Sequence, residues 1–301
     1  MASEPTLKRN INPDVLPKDH VESQGASTKD PEKLPWFVPE LKDLRREARD
    51  LFEGYSKIPS DEVVSHIKTS RDKAFKTYPY PCLGGWGFLE LSITQSKYYQ
   101  DILQRIKDGD PYLDVGCCVG QDIRKLVFDG APSQNTYGSD LEQSFIDIGY
   151  ELFLDKATLK TTFIAADILS PDSDLKQLYG KIDVIHVAAF LHLFNWDNSV
   201  KACKQLAAIL KAKPGSMVLG RQVGHVESGE KARLIDLSRS RYRHTAESFE
   251  KMWKQVGEET GTEWKVEAQL EDEDLGEKSH GIMREYIPVG SRWLRFTIWR
   301  V

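Results

Sequence analysis

Tyr112-Leu113-Asp114-Val115-Gly116-Cys117-Cys118-Val119-Gly120-Gln121-Asp122 is the stretch that decides the fold. A short apolar strand runs into a Gly-x-x-x-Gly turn and then a helix, so the backbone can approach a ligand closely where it leaves the sheet. Around it, β-rich runs at 112–115, 136–139, 162–165, 182–187, 216–220, 264–269 and 291–300 alternate with helical patterns. That alternation predicts an α/β fold, a seven-stranded and mostly parallel sheet with helices on both faces. The helix after the fourth strand shows the pattern: Asn195 or Asp197 to cap it, Val200, Cys203, Leu206, Ala207 and Leu210 on its buried stripe, Lys211 and Lys213 at its negative end.

The first three strands each carry a carboxylate near their C-terminal ends: Asp114, then Asp140 before Leu141, then Asp167 before Ile168. Open α/β sheets bind ligands at that edge. A single such acid is explained by capping a turn, but three together point to a ligand. A dinucleotide would set its pyrophosphate at the helix start and ask for a third glycine near position 121; Gln121 and Asp122 stand there instead, and an acid repels phosphate. S-adenosylmethionine has no phosphate but offers an amino group, ribose hydroxyls and an adenine amine, and acidic strand ends suit it better.

Outward from this core, residues 1–35 carry five prolines among charged and small residues and read as a flexible tail or arm. Residues 36–108 read as a helical lid with an aromatic loop. Phe37, Leu41, Leu44, Ala48, Leu51 and Phe52 recur at helical spacing from Trp36 until Gly54, and Val63, Val64, Ile67 and Ala74 follow a cap at Ser60. Between Tyr78 and Leu89, two prolines and three glycines interrupt a run holding Tyr78, Tyr80, Trp86 and Phe88, which predicts an irregular loop. A third helix is expected over Ser92–Lys107, and residues 109–301 form the ligand-binding core.

With 40% hydrophobic and 29% charged residues, the chain can bury a real core; its net charge of −5 provides no general field for nucleic acid. Cys82, Cys117, Cys118 and Cys203 fit neither a zinc ribbon nor a disulfide framework, so no metal site and a reducing, cytoplasmic setting are expected. The N-terminal stretch lacks the apolar run of a signal or membrane anchor. Association into a homodimer stays open.

Tyr112 to Gly120, Asp140, Asp167 and Asp183 to Phe194 resemble the successive motifs of class I S-adenosylmethionine-dependent methyltransferases. The resemblance implies a Rossmann-like fold with Gly116 and Gly120 beside the methionine portion, Asp114 supporting the loop and the amino group, Asp140 and Leu141 at the ribose, and Asp167 with Ile168 at the adenine. Cys118 stands where that family places its middle glycine. A narrower resemblance runs over residues 36–301. Tyr80-Pro81-Cys82-Leu83-Gly84, Gly220-Arg221-Gln222-Val223-Gly224 and Arg243-His244-Thr245-Ala246-Glu247-Ser248-Phe249 are similar to segments of fungal meroterpenoid-pathway methyltransferases. It implies a prenylated acid as substrate, a farnesylated aromatic-polyketide-derived one, esterified at its carboxylate.

A carboxylic acid, with a pKa of about 4, is already ionised at neutral pH and needs no general base, whereas a phenol of about 10 does. His192 and His225 are the candidate catalytic residues, and each is equally readable as a packed, hydrogen-bonded histidine. Tyr78, Phe88, Phe194 and Arg221 are candidate substrate contacts, although arginine at a strand end often serves as a helix-pairing residue. Arg239, Arg241, Arg243 and His244 read as a solvated loop before a helix capped by Thr245. Phenol O-methylation and a non-catalytic, S-adenosylmethionine-binding regulatory role stay open as alternatives.

Overall fold

The computed structural model describes residues 33–34, 36–232, 240–278 and 287–301. The expected tail over residues 1–35 lies, apart from 33 and 34, outside the described residues, as does Arg239. Seven strands form one sheet: β1 (Tyr112–Val115), β2 (Thr136–Asp140), β3 (Thr162–Ala165), β4 (Val184–Ala188), β5 (Met217–His225), β8 (Trp264–Leu270) and β9 (Ser291–Arg300). Their order is β3-β2-β1-β4-β5-β9-β8. The pairs from β3 to β5 are parallel, and β9 alone is reversed against both its neighbours. The sheet turns outward in both directions from β1, so the loop after β1 opens at the topological switch point.

Two apolar layers enclose the sheet. On one face Val115, Ile185, Val187 and Val218 meet α6 (Trp196–Ile209) and α7 (Ala246–Thr260) through Leu206, Phe249 and Trp253. On the other, Tyr112, Val184 and Leu219 meet α3 (Tyr99–Lys107) and α4 (Gln121–Phe128) through Ile102, Ile106, Ile123 and Leu126. Each fully buried aliphatic or aromatic side chain contributes about 1.5–3 kcal/mol, enough to fix strand register against a slip that would turn every core residue outward. Asn195 does cap α6, accepting the Asn198 N–H at 3.0 Å. Lys211 and Lys213 instead pair with buried Asp183, taking charge from the strand entrance rather than from the helix end.

The lid is a third core. Trp36, Phe52, Ile67, Phe75, Leu83 and Phe88 pack together and reach Phe145 and Phe153 of α5 (Gln143–Phe153). Its centre is Arg71, fully buried, with its guanidinium 4.4 Å from the Phe37 ring and 3.8 Å from the Trp86 ring. The helix expected from Trp36 begins only at Arg46. α1 (Arg46–Asp50) runs directly into a π turn, Leu51–Tyr55, and Gly54 lies inside that turn against Phe128 instead of ending a helix. The stretch before it is drawn out by tertiary contacts: Val38 donates to the Gly84 carbonyl, and the Pro39 carbonyl takes Arg71. α2 (Val63–Thr77) starts after Glu62, with a Pro59 turn in place of a Ser60 cap. The aromatic loop contains two short turns, Pro81–Gly84 and Gly87–Glu90, and the helix expected from Ser92 breaks into a 3-10 turn, Ser92–Gln95, before α3.

Two strands escaped the sequence pattern. β6 (Gly229–Ala232) and β7 (Ser240–Arg243) form an antiparallel hairpin where a solvated loop was expected. Tyr242 donates to the Phe194 carbonyl, which ties that hairpin to the turn after β4. Thr245 caps α7 in a reciprocal capping box with Ser248, as its position predicts. Among the described residues, no helix is long and apolar enough to cross a membrane.

Candidate active site

The glycine loop is fixed from three sides. The N–H groups of Gly116 and Cys117 both point to the Ser139 carbonyl of β2, at 2.8 and 2.9 Å. Gly116 has φ +72° and a Cβ there would lie 2.5 Å from the Phe190 ring, so only glycine fits. From behind, Arg124 of α4 donates to the Val119 and Gly120 carbonyls at 2.9 and 3.3 Å and forms a two-pronged pair with buried Asp155 at 2.8 and 3.0 Å. Tyr55 of the lid adds a hydrogen bond to Asp155 at 2.7 Å. Gly149 of α5 completes the frame: a Cβ there would sit 2.4 Å from the Val119 carbonyl. Cys118 takes a left-handed conformation, φ +52°, which explains why a glycine is usual there.

Asp140 closes the loop onto β2. Its Oδ2 accepts the Cys118 N–H at 2.9 Å and its Oδ1 the Glu142 N–H at 3.1 Å. Burial pushes this carboxyl up to about 6, and the two N–H donors only partly counter it. Leu141 follows, half-buried. Asp167 accepts the Leu169 N–H at 2.8 Å, and Ile168 beside it is buried. Asp114 is set deeper than the other two acids. It is 3% exposed, and its Oδ1 meets His186 Nδ1 of β4 at 3.1 Å, across the register pair that joins these residues.

The acceptor-side candidates divide sharply. His192 lies in the turn Leu191–Leu193 after β4, half-buried, with Nδ1 accepting the Val223 N–H at 3.3 Å. A ring nitrogen that accepts from an amide leaves the neutral ring's proton on the other nitrogen, so His192 carries N–H at Nε2. His225 ends β5. Its Nδ1 accepts the Glu227 N–H at 2.9 Å and its Nε2 donates to the Val289 carbonyl at 3.1 Å. Both nitrogens face backbone groups, so His225 pins two loops. Arg221 is also committed: it pairs with Glu90, donates to Gln95 at 3.1 Å and stacks 4.3 Å from the Trp293 ring. Tyr78 and Phe88 are buried in the lid core, and Phe194 in the sheet core, its ring edge-on to Phe190 at 5.2 Å. The structure therefore gathers Gly116, Cys118, Gly120 and Asp140 at one loop, while the expected substrate walls are spread over two cores.

Sequence reasoning missed His186, Arg124, Asp155 and Gly149. For Gly149, a glycine inside an otherwise apolar helix was an available signal. Asp114, Asp122 and His186 place candidate ligand atoms within 4.8 Å of one another. Asp122 already accepts from Ile93 N–H at 3.0 Å, Ser92 Oγ at 3.0 Å and Gln121 Nε2 at 3.3 Å. Hydrogen bonding thus accounts for the cluster, and no metal is assigned to it.

Residues 36–89 match the family described as meroterpenoid methyltransferase N-terminal domain, and residues 113–213 that described as methyltransferase domain. The O-methyltransferase phiE of a fungal species is 48% identical over 257 residues, 82% of this chain and 85% of the relative. The O-methyltransferase atr3 of Stereocaulon alpinum is 44% identical over 298 residues, covering 98% and 82%. The asnovolin E/chermesin D methyltransferase nvfJ of Aspergillus novofumigatus is 44% identical over 221 residues, covering 73% and 79%. The glycine loop and strand-end acids fit a phosphate-free, amine-bearing cofactor, and the lid that packs on them is the part matched by the meroterpenoid methyltransferase N-terminal domain. The chain belongs to the family of fungal meroterpenoid methyltransferases and is an S-adenosylmethionine-dependent O-methyltransferase.

Proposed function

We propose that the enzyme esterifies the carboxylate of a small prenylated aromatic acid, the farnesylated, polyketide-derived class of acid. The supporting observation is the proton inventory of the two histidines at the C-terminal edge of the sheet. His192 Nδ1 accepts the Val223 N–H, which puts the neutral ring's proton on Nε2, and both His225 nitrogens face backbone groups. An acceptor that is already an anion uses a donor to hold it in place and requires no base; a phenol requires the base that neither ring presents. The relation to nvfJ, named an asnovolin E/chermesin D methyltransferase, and the match to the meroterpenoid methyltransferase N-terminal domain support the substrate class.

When bound, S-adenosylmethionine supplies the methyl group as a sulfonium. Asp140 would accept the ribose hydroxyls, Asp167 and Ile168 would border the adenine, and the Gly116–Gly120 backbone would lie beside the methionine portion. His192 Nε2–H holds one carboxylate oxygen, leaving the other free to attack in line. Methyl transfer would leave a methyl ester and S-adenosylhomocysteine, and an acceptor already ionised asks the protein to move no proton. Arg221 contributes through Glu90 and Gln95, by seating the lid against β5, rather than by contact with the acid.

The test is single-turnover methylation of a farnesylated aromatic acid bearing both a carboxyl and a phenol. The expected product loses its methyl group on mild alkaline hydrolysis, and His192→Gln, which keeps a donor, lowers the rate by about 10-fold to 100-fold. A methyl group that survives alkali, with a His192→Gln loss of about three orders of magnitude recovered at high pH, would make the enzyme a phenol methyltransferase.

A further inference from the structure

Beneath the cofactor loop lies a buried chain of polar groups that the transfer chemistry does not use. Asp114 Oδ1 meets His186 Nδ1 at 3.1 Å, His186 Nε2 lies 3.5 Å from Ser92 Oγ, and Ser92 Oγ is 3.0 Å from Asp122 Oδ2. Asp114, Asp122 and His186 are 3%, 2% and 1% exposed. The four residues come from four places: β1 before the glycine loop, β4, the lid turn Ser92–Gln95, and the first turn of α4 just after the loop.

Burial raises the Asp114 carboxyl and the His186 ring beside it lowers it, so the count has two solutions: a protonated Asp114 donating to a neutral ring, or an ionised Asp114 accepting from a charged one. In the second, the Ser92 hydroxyl proton goes to Asp122 Oδ2. Ser92 Oγ can then only accept from His186 Nε2, and Asp114 only from His186 Nδ1. Both ring nitrogens then carry protons. We propose that His186 is a positioning residue held as a buried imidazolium, and that through Ser92 it couples the seating of the lid to the geometry of the cofactor loop.

The charges facing His186 support this reading. Asp114 comes from β1 and Asp122 from α4, with Arg221 of β5 opposing them and the Tyr112 ring stacked 6.5 Å away. Burial acts against a charged ring, yet the Asp114 carboxylate with its hydrogen bond, and Asp122, raise His186 above its ordinary value. The sign follows from linkage: a histidine raised on folding contributes stability that is complete below about 6.5 and is lost as pH rises through the folded value. Cofactor affinity is expected to follow the same alkaline limb, because losing the proton leaves two buried carboxylates facing each other beside the loop.

The experiment uses the full chain with labelled histidine, followed by NMR from pH 5.5 to 9.5, with the His186 signal identified by its loss in His186→Gln. The expected signal is an imidazolium at pH 7. Ser92→Ala is expected to lower its midpoint by about one unit and weaken S-adenosylmethionine binding about fivefold, with kcat at saturating cofactor changed less than about twofold. His186→Gln should lose the alkaline limb of cofactor affinity measured by calorimetry. A neutral His186 at pH 6.5, or a Ser92→Ala variant with unchanged midpoint and affinity, overturns the proposal. If His186→Gln fails to fold, Ser92→Ala and the wild-type titration still decide it.

Discussion

The cofactor edge and the lid each bury an arginine, and they solve the problem differently. Behind the glycine loop, Arg124 is matched by a carboxylate that is itself out of water: the Arg124 and Asp155 side chains are 1% and 4% exposed. In the lid, Arg71 is fully buried but its carboxylate partner Asp72 is 37% exposed, and aromatic rings and two carbonyls do the rest. The difference shows where each region places its precision. The loop must hold the Val119 and Gly120 carbonyls still for a ligand, and a rigid two-pronged pair does so. The lid is held by packing, which tolerates substitution as long as volume is kept.

The largest expected effect tests that contrast directly. Asp155→Ala strands a buried guanidinium and removes the Tyr55 hydrogen bond, so it is expected to destabilise the fold by about 3–5 kcal/mol in urea unfolding. Arg71→Met leaves half-buried Asp72 without its partner but still reached by water, and refills the space between Phe37 and Trp86, for a cost of about 1–2 kcal/mol. Equal costs would mean that the two arginines play the same part. Tyr55 belongs to this comparison: burial and the Asp155 carboxylate push its phenol far above the ordinary range, so it remains a donor at any working pH.

Asp140 comes next in size. Asp140→Ala removes the acceptor of the Cys118 and Glu142 N–H groups as well as the ribose contacts proposed for it, and S-adenosylmethionine affinity is expected to fall by about 1.5–3 kcal/mol. The pH dependence has a definite sign. A carboxyl raised to about 6 on folding binds protons more readily in the folded state, so its contribution to stability falls as pH rises from about 4 to about 6. Cofactor affinity should move the opposite way and rise with ionisation over that range. Asp140→Asn should lose the acid limb of affinity, and at pH 7 the ligand-free protein should melt about 2–5 °C higher, since a buried charge has been removed. A variant with both poorer affinity and a lower melting temperature would show that Asp140 is structural before it is functional.

The cofactor edge was far more legible in the sequence than the lid, for a physical reason. Gly116, Gly120, Asp140 and Asp167 act through their own backbone and strand ends, so local spacing encodes their placement. The lid's helices were misplaced because Trp36 to Leu44 obeys helical spacing while its backbone is drawn out by Gly84 and Arg71, contacts with no local trace. His186 sits one strand away from Asp114, a relation only the register supplies. Arg241 and Arg243 alternate like a solvated loop, yet they lie in β7, whose pairing with β6 has no local trace. His225 is expected after a fifth strand over 216–220, but β5 runs on to include it, and its contact with Val289, more than sixty residues away, has no local trace.

The smallest effect is the most diagnostic of the loop itself. Cys118 holds φ +52° beside Asp140, a conformation that costs a residue with a Cβ about 1–2 kcal/mol. Its side chain also packs against the lid core, where burial raises its thiol well above the ordinary range, so replacing it changes strain and contacts together. Comparing two variants separates these terms. Cys118→Ala keeps the Cβ and loses the sulfur, and Cys118→Gly loses both. In relaxed helix or strand backbone, alanine is the more stable of the two by about 0.5–1 kcal/mol. Here the order is expected to reverse, with Cys118→Gly more stable than Cys118→Ala by about 0.5–1 kcal/mol in matched urea melts. The gap between Cys118→Ala and wild type then reports what the sulfur contributes at the seam between lid and loop. If alanine stays ahead of glycine, the left-handed turn carries no strain, and the cysteine is retained there at no conformational cost.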